Sequence, residues 1–172
     1  FSRMRDLHRT MIRQRDHIAK NNERLLQEQK VAKHVFDNVA HSGCLDAENI
    51  RYLMSSLAVF NGDVLLAAMR PSGNMIVLLG DFTGHGLPAA IGAMPLASTF
   101  YSMVAKGFSM TDILAELNAK LKAILPVGIF CCAVVMDINY RKKRVKIWNG
   151  GLPDCFVLHH RDRRVSTVKS TH

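Results

Sequence analysis

The sequence predicts an α+β domain built on antiparallel strands and entered through one long helix. Three observations carry this. Two apolar runs, 64–69 and 75–79, are separated by little more than the turn residues Pro71-Ser-Gly-Asn74, which is hairpin spacing. Two helical segments then follow with no strand between them. After those, strand-like runs at 129–138, 145–148, 156–158 and 165–168 alternate with short charged turns. A parallel sheet would need strands and helices in alternation, so this order argues for antiparallel layers with segregated helices.

Residues 1–40 hold neither glycine nor proline and are dense in Arg, Lys, Gln and Glu. Met4, Met11, Ile18 and Leu25 fall seven apart, and Ala32 and Val39 continue the row. The companion row three residues on reads Leu7, Gln14, Asn21, Glu28 and Val35, apolar only at its ends. A sustained period of seven predicts a coiled coil, and polar residues in its seam fix register and partner number. A parallel homodimer over 4–29 is the expectation. The alternatives are a single amphipathic helix packed on its own domain and a basic DNA-binding zipper. The zipper lacks its leucine register, and its cations are diluted by Asp and Glu.

His41-Ser-Gly-Cys-Leu-Asp46 breaks the helix, giving two expected parts: a helical coiled-coil linker over 1–40 and a domain over 41–172. Residues 50–60 read as short extended pieces. In the hairpin, Asp63 opens the first strand and Asp81 closes the second. Antiparallel pairing about residues 72–73 therefore makes the two carboxylates cross-strand neighbours. Gly80-Asp-Phe-Thr-Gly-His-Gly86 is too rich in glycine to continue either period, and Pro88 suits the first turn of a helix. That helix, 87–106, is apolar nearly all round and should cover a sheet, with Pro95 expected to kink or break it. Ser109 or Thr111 caps the next, whose stripe is Ile113, Leu114, Leu117, Leu121 and Ile124; Pro126 and Gly128 end it.

The chain has 172 residues, 48% hydrophobic and 22% charged, enough for a globular core. Lys and Arg outnumber Asp and Glu by 23 to 14, a net charge of +9. Such an excess can signal nucleic acid or an anionic membrane. Here its dense runs, 141–144 and 161–164, fall on hairpin turns without interleaved aromatics, where the ordinary meaning is a solvated tip. No nucleic-acid or membrane partner is expected. Cys44, Cys131, Cys132 and Cys155 show no CxxC spacing and read as reduced thiols, and no apolar run approaches the ~20 residues a bilayer needs. A cytoplasmic protein is the expectation. The first residue, Phe1, is not Met, and the chain stops without a capping element. It is expected to belong to something longer.

Two carboxylates at one end of a hairpin, beside a glycine turn with exposed carbonyls, form a hard-oxygen site of the kind Mg²⁺ and Mn²⁺ take. The plainer reading makes both ordinary turn aspartates. His85 is a lesser candidate that could at most support the ligands. A phosphate-cradling P-loop is excluded by length and by the missing Lys-Ser/Thr. No Ser-His-Asp or Cys-His arrangement is supported, since no serine or cysteine lies in a nucleophile-elbow context.

Asn61-Gly-Asp63, followed at strand-pair distance by Gly80-Asp-Phe-Thr-Gly-His-Gly-Leu-Pro-Ala-Ala90, resembles the PPM family of metal-dependent Ser/Thr protein phosphatases, and most of all its SpoIIE/RsbU branch. Leu117-Asn118 and Leu121 resemble that branch's helix signature, and Asn149-Gly-Gly-Leu-Pro153 stands where the branch has an Ala-Gly-His-Pro turn. Within the branch, the entering helix and Trp148-Asn-Gly-Gly-Leu-Pro-Asp154 look most like the phosphatase half of an RssB-type response regulator, with a receiver domain upstream. The resemblance implies an α-β-β-α sandwich with two Mn²⁺ or Mg²⁺ ions at one end of the sheets. It implies Asp63, Asp81 and the backbone carbonyl of Phe82 as metal ligands. The activity implied is hydrolysis of phosphoserine or phosphothreonine by activated water, with a phosphorylated anti-sigma-factor antagonist as substrate. The family's remaining aspartate ligands lie in a Thr/Ser-Asp-Gly segment and beyond, which this chain does not reach, and Asn149 stands in place of the usual histidine. A catalytically inactive adaptor binding a sigma or anti-sigma partner is the alternative.

Overall fold

The structure, a computed structural model, describes residues 2–40, 43–53, 62–84 and 87–171. The extended pieces expected within 54–60, and His85, lie outside the described residues. The chain divides into two compact units, 1–35 and 36–172.

In the first unit, α1 (Ser2–Ala40) begins, and it runs unbroken for 39 residues. Nothing in its sequence interrupts the backbone ladder, since both helix breakers are missing from it. Met4, Met11, Ile18 and Leu25, the predicted heptad row, are 75%, 65%, 58% and 50% exposed in the single chain.

The second unit is ordered β1 (Asp63–Met69), β2 (Met75–Phe82), α2 (Leu87–Ala105), α3 (Met110–Ile124), β3 (Cys131–Asn139), β4 (Arg144–Gly150), β5 (Cys155–Leu158) and β6 (Val165–Val168). β1 to β4 form one antiparallel sheet in sequence order, and β5 pairs with β6 as a separate ribbon. This is the α+β class predicted. The hairpin register is also the predicted one: Asp63 pairs with Asp81 and Met69 with Met75. The basic tips stand at the β3–β4 and β5–β6 turns, where Lys143 and Arg163 take left-handed φ values of 50° and 51°.

Alternation along the strands sends Val64, Leu66, Ile76, Leu78, Phe82 and Val135 to the helix side, with Phe100, Val104, Ile113 and Leu117. All are at most 5% exposed, and full burial of such a side chain is worth roughly 1.5–3 kcal/mol. α2 is helical straight through Pro95. α3 is capped by Ser109, whose hydroxyl oxygen accepts the Asp112 amide at 3.2 Å; its stripe ends early, Ile124 being 45% exposed. β3 begins two residues later than its apolar run because 126–130 form the connection into it. The other side of the sheet carries a smaller cluster, Leu45, Ala67, Met75 and Val77, with Leu65, Met136 and Ile138 against it.

At the hairpin-turn end, Arg70 donates to Asp137 at 2.9 Å, with side chains only 8% and 14% exposed. Asp137 is thereby committed to an ion pair.

A candidate metal corner at the sheet's end

Asp63, Asp81 and Cys132 lie in one row across β1, β2 and β3. The strand alternation places both carboxylates on the face away from α2, and both are exposed. Burial and, after it, the neighbouring Asp81 carboxylate hold Asp63 above the usual carboxylate range. A cation between the two carboxylates would relieve the repulsion that the register imposes on them.

Beside them the chain turns sharply. The Phe82 amide donates to the Gly62 carbonyl at 3.0 Å, so the two strand ends remain tied past the last ladder pair. The ring of Phe82 points into the core, where a methyl on Gly92 of α2 would stand 2.6 Å from it. Only glycine lets that ring lie against the helix. The Phe82 carbonyl lies on the same side as its amide, toward Gly62. A methyl built on Gly62 would lie 2.6 Å from the Phe82 carbonyl oxygen, 2.9 Å from that of Gly84 and 3.5 Å from Oδ1 of Asp81. Three oxygens therefore converge over a bare glycine. Gly84 contributes its carbonyl from a left-handed φ of 86°, which a side chain would resist.

These residues fit a hard divalent cation. Carboxylates and carbonyls are the donors Mg²⁺, Mn²⁺ and Ca²⁺ prefer, and a small hollow lined by them suits an ion that keeps several waters. No group of three or more His, Cys, Asp or Glu suited to a metal occurs among the described residues, so the donor set rests on two carboxylates plus backbone. Cys131 is no soft competitor. Burial, chiefly, pushes its thiol up to about 12, so it stays protonated at neutral pH.

Of the sequence-predicted ligands, Asp63, Asp81 and Phe82 are thus brought to one corner. Gly62 and Gly84 join them, and the Asn-Gly-Asp and Thr-Gly-His runs carry the signal for both. Asn149 is 1% exposed and serves the turn that follows it. Its Nδ2 donates to the carbonyls of Leu152 at 3.2 Å and Pro153 at 3.0 Å, and its Oδ1 accepts the Leu152 amide at 3.2 Å. A side chain so committed is a structural asparagine. A cleft of about 310 Å³ lies between the end of α3 and the 126–131 segment, lined in part by Lys122, Leu125, Val127 and Phe130. Neither aspartate lines it.

Comparisons with known proteins speak to the family and the fold. The profile of the family described as Stage II sporulation protein E (SpoIIE) matches residues 71–172, more than half of the chain. Phosphoserine phosphatase RsbP of Bacillus subtilis (strain 168) is 25% identical over 81 residues, 45% of this chain and 20% of that protein. The crystal structure of the RsbU and RsbW domains of Rv1364c from Mycobacterium tuberculosis superposes with a TM-score of 0.57 at 18% identity. That match covers 69% of this chain and 32% of the other, and at such identity it speaks to fold. The chain therefore spans well under half of either protein.

Proposed function

Given that the chain belongs to the SpoIIE family, we propose that it is a metal-dependent protein phosphatase acting on phosphoserine or phosphothreonine of a regulatory protein. The observation that carries this reading is the Asp63–Asp81 pair beside two backbone carbonyls, those of Phe82 and Gly84, converging over Gly62. Asp63, Asp81 and the carbonyl of Phe82 would hold Mn²⁺ or Mg²⁺, with the Gly84 carbonyl as a further neutral donor. Bound there, such an ion supplies Lewis acidity and a water acidic enough to attack a phosphomonoester at neutral pH.

The protein's own contribution is placement and charge. The hairpin register sets the two carboxylates side by side. The Phe82–Gly62 hydrogen bond holds the strand end whose carbonyl faces the hollow, and Gly62 leaves the space empty of side chain. The family resemblance implies further aspartate ligands, so the corner would supply one half of a two-ion site. The substrate class, a phosphorylated anti-sigma-factor antagonist, follows from the family resemblance, as does a response-regulator context with a receiver upstream of α1. The exposed heptad row of α1 supports a parallel homodimer that would transmit the receiver's state. Among the described residues no helix is long and apolar enough to cross a membrane.

The test is release of inorganic phosphate from a phosphoserine peptide by the full-length protein, with Mn²⁺, with EDTA, and with Asp81→Asn. Turnover that needs Mn²⁺ and falls by about 100-fold or more in the variant is expected, since even outer-shell changes cost 10–100-fold. A second reading, an inactive adaptor, takes its support from the lack of a third side-chain ligand among the described residues. Wild-type protein that binds Mn²⁺ yet releases no phosphate would favour it.

A further inference from the structure

We infer that Thr83 is a positioning residue: it brackets Phe130 through backbone and hydroxyl together, and this bracket aims the Phe82 and Gly84 carbonyls at the cation. The inference rests on the metal reading of the corner. The Thr83 amide donates to the Phe130 carbonyl at 2.9 Å, and the Phe130 amide donates to Thr83 Oγ1 at 3.0 Å. The hydroxyl proton has two carbonyl acceptors within 3.4 Å, those of Gly128 and Phe130. One residue thus satisfies both polar groups of Phe130 where the chain enters β3.

The consequence falls on its neighbours. Phe82 and Gly84 flank Thr83, and theirs are the carbonyls that converge over Gly62. The Phe82 amide is held from the other side by Gly62. A short turn anchored at 82 by Gly62 and at 83 by Phe130 has little freedom to swing its carbonyls away. Loosening the hydroxyl leaves the amide bond in place but releases the Phe130 amide and lets the turn rock. Partners that orient a ligand, while touching no metal themselves, typically control 10–100-fold in affinity.

Thr83→Val keeps the branched shape and removes the acceptor; Thr83→Ser keeps the acceptor. In the full-length protein, calorimetric titration with Mn²⁺ alone should give about 10-fold weaker binding for Thr83→Val and near wild-type binding for Thr83→Ser. In metal-free protein, amide hydrogen exchange at Phe130 should lose protection in the valine variant and keep it in the serine variant. At saturating Mn²⁺ the KM for a phosphoserine peptide should be unchanged. Thr83→Ala repeats the comparison if valine is not tolerated. Wild-type Mn²⁺ affinity in a hydroxyl-free variant, or equal weakening by serine and valine, would overturn the inference. A wild type that binds no Mn²⁺ would remove the metal reading itself, and the positioning role with it.

Discussion

Gly62→Ala loads the corner more directly than any change to a carboxylate. The new methyl would stand 2.6 Å and 2.9 Å from two backbone oxygens, where ordinary contact begins near 3.4 Å. Both belong to backbone, which cannot rotate away as a side-chain tip would. The 82–84 turn must move, or the Phe82–Gly62 hydrogen bond of 3.0 Å must stretch. Overpacking of this kind costs about 1–3 kcal/mol. For a chain of this size, about 2 kcal/mol lowers Tm by about 4–8 °C. Displaced carbonyls should weaken Mn²⁺ by about 10–100-fold, equivalent to about 1.4–2.7 kcal/mol of binding. Gly73→Ala is the control. Gly73 has a φ of 82° and no atom within 4 Å of a built methyl, so alanine there strains the turn at the sheet's other end by about 1–2 kcal/mol without touching the corner. Thermal melts and Mn²⁺ titrations on both variants separate the effects: both lose stability, and only Gly62→Ala loses the ion. A folded Gly62→Ala protein that binds Mn²⁺ like wild type would refute the cradle.

Three further outcomes follow from the same geometry. Asp63 has a folded-state pKa above its unfolded value, so its contribution to stability is present at low pH and is lost as pH rises through the raised value. Metal-free Asp63→Asn should therefore be slightly more stable than wild type at pH 7, by no more than about 0.5 kcal/mol at so exposed a site, yet gain nothing from Mn²⁺; a variant stabilised by Mn²⁺ as strongly as wild type would contradict this. Asp137→Asn leaves Arg70 buried without its counter-charge and should cost about 3–5 kcal/mol in urea unfolding; a loss below about 1 kcal/mol would show the pair to be solvated. Gln14→Leu with Asn21→Leu should tighten association through α1 in sedimentation equilibrium and change phosphatase activity; an unchanged monomeric mass would remove the coil.

The sequence made the sheet legible where its signals were local. Apolar runs of strand length, the 71–74 turn and the 139–143 tip locate β1 to β4, and the hairpin arithmetic alone places Asp63 opposite Asp81. Cross-strand distance along one turn is a nearly one-dimensional problem, which is why that inference worked. The cradle is not one-dimensional. It depends on Phe130, 47 residues along the chain, holding Thr83, while Gly92 admits the Phe82 ring against α2; neither residue announces a partner in its own neighbourhood. Asn149 is legible as a departure from the family's turn, but its duty there depends on the carbonyls of Leu152 and Pro153, which only the fold brings to it. Ile124 fits its helix's apolar period and is still 45% exposed.

The central claim is that a divalent cation binds at the corner of Asp63, Asp81 and the Phe82 carbonyl. Paramagnetic broadening locates it most directly: substoichiometric Mn²⁺ added to ¹⁵N-labelled protein bleaches amide signals nearest the ion. The amides of Gly62, Asp63 and 81–84 should disappear first, ahead of 140–143 and 161–164, and Asp81→Asn should abolish the effect. Broadening that spares the corner, or that persists unchanged in Asp81→Asn, would contradict the account.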